Sequence, residues 1–188
     1  MTQHNRLSSN PSGFRLCLYN IQGGFAISYI IIDGYNLIGI YHKDLKKQRD
    51  MLIDSLIEYR KKKGHDITVV FDGWKTGEAQ EKQSVTGGIR IIYSRLGEKA
   101  DSVIKRIISH ARCGWIVVTS DRDIADHAWA SGSIPVSAEG FLKVLERGIP
   151  SYFDEEENDE EYIEPQRKGN PRKLSKKEKA ISRALSKL

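Results

Sequence analysis

The hydrophobic pattern of the chain alternates between short, continuous apolar runs and longer segments that carry a single apolar stripe. The continuous runs are rich in β-branched residues, which is typical of strands buried on both faces of a sheet. We predict five such strands, at residues 29–32, 67–71, 89–93, 115–118 and 134–136. Strands of this kind pair in parallel and need helices on both faces of their sheet.

Segments with helical periodicity separate the predicted strands. The clearest is residues 45–63, where Asp44 is a suitable N-cap, Gly64 suits the position after the end, and lysines occupy the last turn. Three further helices are predicted, at residues 97–112, 123–130 and 139–147. Residues 73–88 are polar and contain glycine, so we predict a loop there. The alternation indicates an α/β fold, a three-layer sandwich around a mostly parallel central sheet.

The composition limits the class of protein. With 188 residues, of which 39% are hydrophobic and 29% charged, the chain suits one globular domain with a sizeable core. Cys17 and Cys113 are far apart in the sequence, which predicts neither a disulfide framework nor a thiolate zinc site and suits the reducing cytoplasm. The apolar runs are all shorter than a membrane span, so we expect no membrane segment.

The net charge of +5 is unevenly distributed along the chain. Residues 150–166 contain eight acidic and no basic residues, and residues 167–188 contain nine basic residues and one acidic residue. Because these two segments cancel (−8 and +8), the preceding residues carry the +5, which favours a polyanionic partner. We therefore predict a poorly ordered extension at residues 1–27, a domain at 28–149, an acidic linker at 150–166 and a flexible basic tail at 167–188.

The basic tail has the pattern of a short amphipathic helix. Ser175 and Glu178 have the spacing of a capping box. Ile181, Ala184 and Leu185 then recur at helical spacing. We expect such a helix to be marginal on its own and suited to contact with RNA, a ribosomal surface or another protein.

Acidic residues lie at the ends of the predicted strands. Asp33 follows the first strand, Asp72 the second and Asp121 the fourth. Asp101 lies in the first turn of the helix after the third strand, and Glu98 precedes it by three residues. Because parallel strands joined by right-handed crossovers end at one edge of the sheet, we expect these carboxylates to converge there.

A cluster of this kind is unfavourable without a cation, because neighbouring carboxylates raise one another's pKa. Mg²⁺ or Mn²⁺ would relieve the repulsion, and two such ions roughly 4 Å apart can stabilise the attacking and leaving oxygens of phosphodiester hydrolysis. Taken singly, each aspartate is more typical of a turn or a helix cap. Their number at one predicted edge is what favours a metal site.

Four segments in this order, IIIDGYNLIG, ITVVFDG, IIYSRLGEKADSVIKRI and IVVTSDRDI, resemble the YacP-like NYN domains of the PIN-domain nuclease superfamily. The resemblance covers residues 29–145, and the ordered combination of the motifs is more specific than any one of them. It implies a PIN-like, Rossmann-like α/β fold and a metal-dependent endoribonuclease that acts on RNA.

The resemblance also implies a role for each acid. Asp33, Asp101 and Asp121 match the core metal-binding acids of the family, and Asp72 matches an additional acid after the second strand. The first three would hold one Mg²⁺ or Mn²⁺, and Asp72 with Glu98 would help to hold a second. A metal-activated water would then attack phosphorus in line and leave a 5′-phosphate and a 3′-hydroxyl.

Further residues are candidates for binding the substrate. By resemblance, Asn36 would position a carboxylate or a phosphate, and Ser120 would lie beside the metal site and orient the neighbouring acid. Arg95 and Arg122 lie next to the predicted edge and could neutralise phosphates. Trp74 follows the second strand, where it could stack an unpaired base or cover the core.

Other functions remain open at this point. A PIN-like RNA-binding module that has lost catalysis is the main alternative, although all four key aspartates are present. DNA is a possible substrate as well, because metal-assisted hydrolysis does not itself select the sugar. A dinucleotide-binding enzyme would need a GxGxxG motif after the first strand, and this chain has an acid there. An aspartyl phosphatase would need a second acid two residues after Asp33, where Tyr35 stands.

Overall fold

A computed structural model describes residues 28–39, 44–73, 80–111, 114–148 and 174–188. The strands in these ranges are β1 (Tyr29–Asp33), β2 (Asp66–Phe71), β3 (Lys82–Thr86), β4 (Ile89–Tyr93), β5 (Ile116–Val118) and β6 (Ile134–Val136). The helices are α1 (Gly34–Ile38), α2 (Leu45–Lys63), α3 (Ala100–His110), α4 (Arg122–Ala130), α5 (Ala138–Gly148) and α6 (Lys176–Lys187). None of the described helices is both long enough and apolar enough to span a membrane.

The strands form one sheet in the order β3-β4-β2-β1-β5-β6. All neighbours are parallel except β3 and β4. Ile32 of the central strand pairs with Val69 on one side and with Val118 on the other, so the strands end level with one another. We call the end of the sheet beyond the last residues of β1, β2, β4 and β5 the carboxyl edge.

Alternate residues of the strands pack against different layers of helices. Ile30 and Ile32 belong to a core with residues of α2, α5 and α6, whereas Ile31 and Val117 belong to a second core with α3 and α4. Most residues of β1, β2, β4 and β5 are therefore buried on one side or the other, which is why these strands appear in the sequence as continuous apolar runs. The predicted three-layer α/β sandwich is confirmed.

Two short elements, β3 and α1, were not predicted from the sequence. Residues 82–86 were predicted to be loop, but they form β3, an edge strand whose residues are all exposed and which therefore has no apolar alternation. It pairs with β4 across the turn at Gly87 and Gly88, both of which have positive φ. The other element is α1, which has only five residues and is too short to show a helical period.

Helix α6 is packed on the domain. The predicted capping box is present, with Ser175 Oγ accepting from Glu178 N at 3.2 Å and the Glu178 carboxylate accepting from Ser175 N at 2.6 Å. From the sequence, this helix was predicted to lie in a tail outside the domain. In the structure Ala184 and Leu188 are buried, because the apolar stripe lies against the β6 and α5 side of the sheet. The predicted extension at residues 1–27, the acidic linker and the first part of the tail lie outside the described residues.

Candidate active site

Asp33 is the last residue of β1 and the N-cap of α1. Its Oδ1 accepts a hydrogen bond from Asn36 N at 3.1 Å, and the residue is only 8% exposed. The glycine that follows is required by packing, since a Cβ at Gly34 would lie 2.2 Å from a ring carbon of Phe71. The Asp-Gly pair therefore places a carboxylate where the chain must turn tightly against the next strand.

Asp72 follows β2 and caps a helix that is distant in sequence. Its Oδ1 accepts from Ala100 N, the first residue of α3, at 2.7 Å, whereas the residue in the N-cap position, Lys99, makes no side-chain cap. The neighbouring Gly73 is again required, because a Cβ there would lie 1.5 Å from the carbonyl oxygen of Ser94. The hydrogen bond from Ala100 N to Asp72 joins the end of β2 to the beginning of α3.

Asp121 is the N-cap of α4, and its Oδ1 accepts from Asp123 N at 2.7 Å and from Ile124 N at 3.2 Å. Its own N–H donates to Thr119 Oγ1 at 3.1 Å, which fixes the turn between β5 and α4. Asp101 lies in the first turn of α3, is half-buried, and accepts no described hydrogen bond.

The electrostatics show that these aspartates are close enough to influence one another. Burial raises the pKa of Asp33, and the negative charges of Asp101, Asp72 and Asp121 raise it further, in that order, while the hydrogen bond from Asn36 opposes the rise. The outcome is a pKa of about 6 in place of 3.8. The four carboxylates, which come from four elements, therefore lie within electrostatic range of one another at the carboxyl edge.

The donor chemistry fits a hard divalent cation. All four acids offer oxygen, and burial together with repulsion within the cluster raises the pKa of Asp33, which a bound cation would lower. Among the described residues, no three Asp, Glu, His or Cys side chains stand close enough together to form a ready-made metal site. Three of the aspartates use one carboxylate oxygen to cap a helix. Binding of a cation would therefore require the other oxygens to move closer to one another.

Comparison with known families decides the classification. The YacP-like NYN domain family matches residues 30–187, which includes nearly all of the described chain. This chain belongs to that family. The match extends through α6, in agreement with the packing of that helix on the domain.

Related proteins support the same placement of this NYN domain. The uncharacterized protein YacP of Bacillus subtilis (strain 168) is 29% identical over 127 residues, which is 62% of this chain and 74% of that protein. The crystal structure of Rae1 (YacP) from Bacillus subtilis has 28% identity and a TM-score of 0.53, covering 65% of this chain and 75% of that one. A mutant of Rae1 gives 26% identity, a TM-score of 0.54, and coverage of 65% and 77%. The fold is therefore that of YacP-like NYN domains, a branch of the PIN-like nucleases.

Glu98, which the sequence suggested as a metal ligand, forms ion pairs with two arginines in this NYN domain. Its Oε2 lies 3.2 Å from Arg95 Nε, and its Oε1 accepts from Arg106 at 2.7 Å. Arg106 also pairs with Glu81, which ties the segment before β3 to α3. Both oxygens of Glu98 thus serve an ion-pair network, and Arg95 is held beside the site with its side chain 64% exposed.

The polar residues around the aspartates mostly connect segments of the NYN domain. Asn36 Oδ1 accepts from Ser120 N at 2.9 Å, which links the turn after β1 to the turn after β5. Ser120 Oγ accepts from Ala138 N at 3.3 Å, so its hydroxyl caps α5. Arg122 is exposed at the start of α4, and Trp74 lies outside the described residues.

Two contributors were missed by sequence reasoning. Thr119 fixes the backbone of Asp121, and a threonine in the run TSD directly before an N-cap was the available signal. Arg106 completes the ion-pair network, but its sequence position looks like ordinary helix surface and carried no signal.

Proposed function

We propose that this NYN domain is a metal-dependent endoribonuclease in which Asp33, Asp72, Asp101 and Asp121 are the catalytic carboxylates. The single observation that carries the proposal is the raised pKa of Asp33, caused by burial and by three other aspartates that arrive from distant parts of the chain. An assembly of like charges is expected at a functional site and is costly elsewhere. Membership of a PIN-like nuclease family supports RNA cleavage.

In this proposal, Asp33, Asp101 and Asp121 hold Mg²⁺ or Mn²⁺, and Asp72 contributes to a second position. A divalent cation bound there supplies the acidified water and the charge neutralisation that phosphodiester hydrolysis needs. The protein's own part is positional, because the helix caps on Asp33, Asp72 and Asp121 fix one oxygen of each carboxylate and leave the other for the cation. Glu98 acts through Arg95 and Arg106 instead of binding metal directly.

The proposed substrate is RNA in the cytoplasm, free or on a ribosomal surface. Arg95 and Arg122 would contact its phosphates from the beginnings of α3 and α4. Asn36 and Ser120 would shape the site by holding the turns after β1 and β5 together. Trp74 would stack an unpaired base from the segment after Asp72.

The test uses the full chain, a mixed pool of single-stranded RNA, and Mn²⁺ or Mg²⁺ at millimolar concentration. Asp101→Asn is the decisive variant, because Asp101 caps no helix and the amide has nearly the same size. Since losing a group that only supports a metal ligand costs about 10–100-fold, we expect this change to cost more than about a hundredfold in cleavage rate. Asp54→Asn, at an exposed position in α2, is the matched control and should cleave normally.

The outcome separates the two candidate functions. Cleavage that is lost both with EDTA and in Asp101→Asn, with RNA binding retained, supports the nuclease. RNA binding without cleavage in the unmodified protein would favour a PIN-like binding module that has lost catalysis. Equal cleavage by the unmodified protein and Asp101→Asn would exclude the carboxylate cluster as the catalytic site.

A further inference from the structure

An aromatic row extends from the carboxylate cluster towards α2. Tyr35, two residues after Asp33, packs edge-on against Phe71 with ring centroids 5.2 Å apart. Phe71 stacks on Tyr93, the last residue of β4, at 5.6 Å. The guanidinium of Arg49, in the first half of α2, lies over the Tyr93 ring at 5.5 Å. All of these side chains come from the ends of strands or from helices that begin near the carboxyl edge.

Arg49 hydrogen-bonds the hydroxyl of Tyr35, which follows Asp33 by two residues. Burial raises the pKa of the Tyr35 hydroxyl, the charge and hydrogen bond of Arg49 oppose that rise, and the charge of Asp72 adds to it. Arg49 and Asp72 therefore act on the same hydroxyl group. Arg49 approaches the cluster from the α2 layer, whereas Arg95 and Arg122 lie at the starts of α3 and α4, in the other helix layer.

The guanidinium of Arg49 is only partly paired for its degree of burial, although it hydrogen-bonds the Tyr35 hydroxyl. Its side chain is only 16% exposed, and its nearest described carboxylate oxygen, Asp50 Oδ1, lies 3.7 Å from Nε. The Nε atom is buried and has no hydrogen-bond partner among the described residues. By contrast, Arg95 and Arg106 are both paired with Glu98. Arg49 is thus a largely buried cation that has a neutral hydroxyl as an acceptor but no close carboxylate, and this partial pairing calls for an explanation.

We propose that Arg49 binds a phosphodiester of the RNA substrate next to the bond that is cut. This inference rests on the proposed function. A phosphate that approaches four carboxylates is repelled unless cations flank it, and a guanidinium offers a fork of donors that fits phosphate oxygens. With Arg49 on the α2 side and Arg95 and Arg122 on the opposite side, the strand would lie across the carboxyl edge and be held by phosphate contacts in both directions.

The test measures binding without cleavage. Arg49→Gln is made in the Asp101→Asn background, and its affinity for a labelled single-stranded RNA of mixed sequence is measured from low to moderate salt. Loss of one charge-assisted contact should weaken binding about tenfold at low salt. It should also reduce the steepness of log affinity against log salt by about 0.7, the value for one phosphate of a single strand.

The same helix provides a matched control. Arg60 is also in α2 and also has a buried Nε without a partner among the described residues, but it packs against Gly88 in the β3–β4 turn. Arg60→Gln should leave both affinity and salt dependence unchanged. Arg49→Lys keeps the charge but loses the fork, so it should retain the salt slope with a loss of affinity of a few fold.

Equal affinity of Arg49→Gln and Arg60→Gln would overturn the proposal. So would weaker binding with an unchanged salt slope, because that result indicates a structural effect. If Arg49→Gln melts below the assay temperature, Arg49→Lys decides: full affinity in that variant contradicts a forked phosphate contact, and a loss of a few fold supports it. Cleavage by the protein without the Asp101→Asn change is scored separately, so a missing nuclease activity and a missing Arg49 contact give different results.

Discussion

The two ends of the sheet differ in their buried polar groups: one end has hydrogen-bonded uncharged side chains, and the other has clustered carboxylates. At the end where β1 and β2 begin, His65 is 5% exposed, accepts from Ser28 N at 3.4 Å through Nδ1, and has its Nε2 3.2 Å from the carbonyl oxygen of Lys187. Tyr59 donates to the carbonyl oxygen of Leu188 at 2.8 Å. Burial lowers the pKa of His65 and raises that of Tyr59, so both groups stay neutral.

The carboxyl edge accumulates charge instead. Asp33 is almost as buried as His65, yet its neighbours include three further acids that raise its pKa. One end of the fold is therefore closed by satisfied hydrogen bonds, and the other holds carboxylates whose repulsion protonation or a bound cation would relieve. A folded protein tolerates such repulsion mainly where it binds or reacts, so the comparison supports placing the proposed active site at the carboxyl edge.

The largest expected effect comes from the glycine that lets Asp72 reach its position. Gly73→Ala would place a Cβ 1.5 Å from a backbone oxygen of Ser94, which cannot move without distorting the start of α3. We expect a loss of about 3 kcal/mol or more in the free energy of unfolding, measured by urea denaturation. Gly140→Ala is the control, since its nearest neighbour is the rotatable hydroxyl of Ser137 at 3.0 Å and alanine favours helix. Equal stability of the two variants would contradict the packing described for the carboxyl edge.

The second effect tests the charge conflict directly. Since the pKa of Asp33 rises from 3.8 to about 6 on folding, the folded state favours the protonated form. Its contribution to stability is fully present below pH 3.8 and is lost as the pH rises through about 6. Asp33→Asn stays neutral and can still accept from Asn36 N, so it should stabilise the metal-free protein at pH 7.5 by about 2–3 kcal/mol.

The pH dependence of this difference is the diagnostic measurement. Denaturation of both proteins with EDTA present should show the advantage of Asp33→Asn shrinking to nearly zero at pH 3.5. Mn²⁺ should then raise the melting temperature of the unmodified protein more than that of the variant, because under the proposed function the ion would bind the folded state through Asp33. An advantage that is constant with pH would mean that Asp33 carries no excess charge in the folded protein.

Asp72 has a structural part that can be separated from its charge. Asp72→Ala removes the acceptor for Ala100 N and should destabilise the protein by about 1–2 kcal/mol, as loss of a helix cap does. Asp72→Asn keeps an acceptor oxygen and should be nearly as stable as the unmodified protein, while its cleavage falls. Thermal melting together with cleavage rates measures both effects. Equal melting temperatures for the two variants would show that the cap of α3 does not depend on Asp72.

Much of the fold was predictable because local signals and tertiary structure agree. The bounds of α2 follow from Asp44, whose Oδ1 accepts from Lys47 N, and from Gly64, whose φ of 73° suits glycine. The continuous apolar runs marked β1, β2 and β4 because both faces of the sheet are covered. The convergence of aspartates followed from topology alone, since parallel strands place their ends together.

What could not be predicted depends on contacts that the local pattern of each element does not show. Glu98 reads as a free acid until α3 brings Arg106 beside it. The same holds for β3, which has no apolar pattern of its own and exists because β4 offers it a pairing edge. Helix α6 packs on the domain partly through a hydrogen bond from Tyr59, more than a hundred residues earlier. No local feature of the α6 sequence predicts that contact.

The smallest expected effect concerns the end of the sheet where β1 and β2 begin and where buried polar groups are hydrogen-bonded. Tyr59→Phe keeps the aromatic packing on Phe141, at 5.8 Å between ring centroids, but leaves the carbonyl oxygen of Leu188 without its described donor. We expect a loss of about 0.5–1.5 kcal/mol in urea denaturation, together with faster amide exchange in α6. Ser186→Ala, at an exposed position in α6, should change neither quantity by much. Unchanged exchange in Tyr59→Phe would mean that apolar contacts alone hold α6, and cleavage should be normal in both variants because this end of the sheet lies away from the proposed catalytic acids.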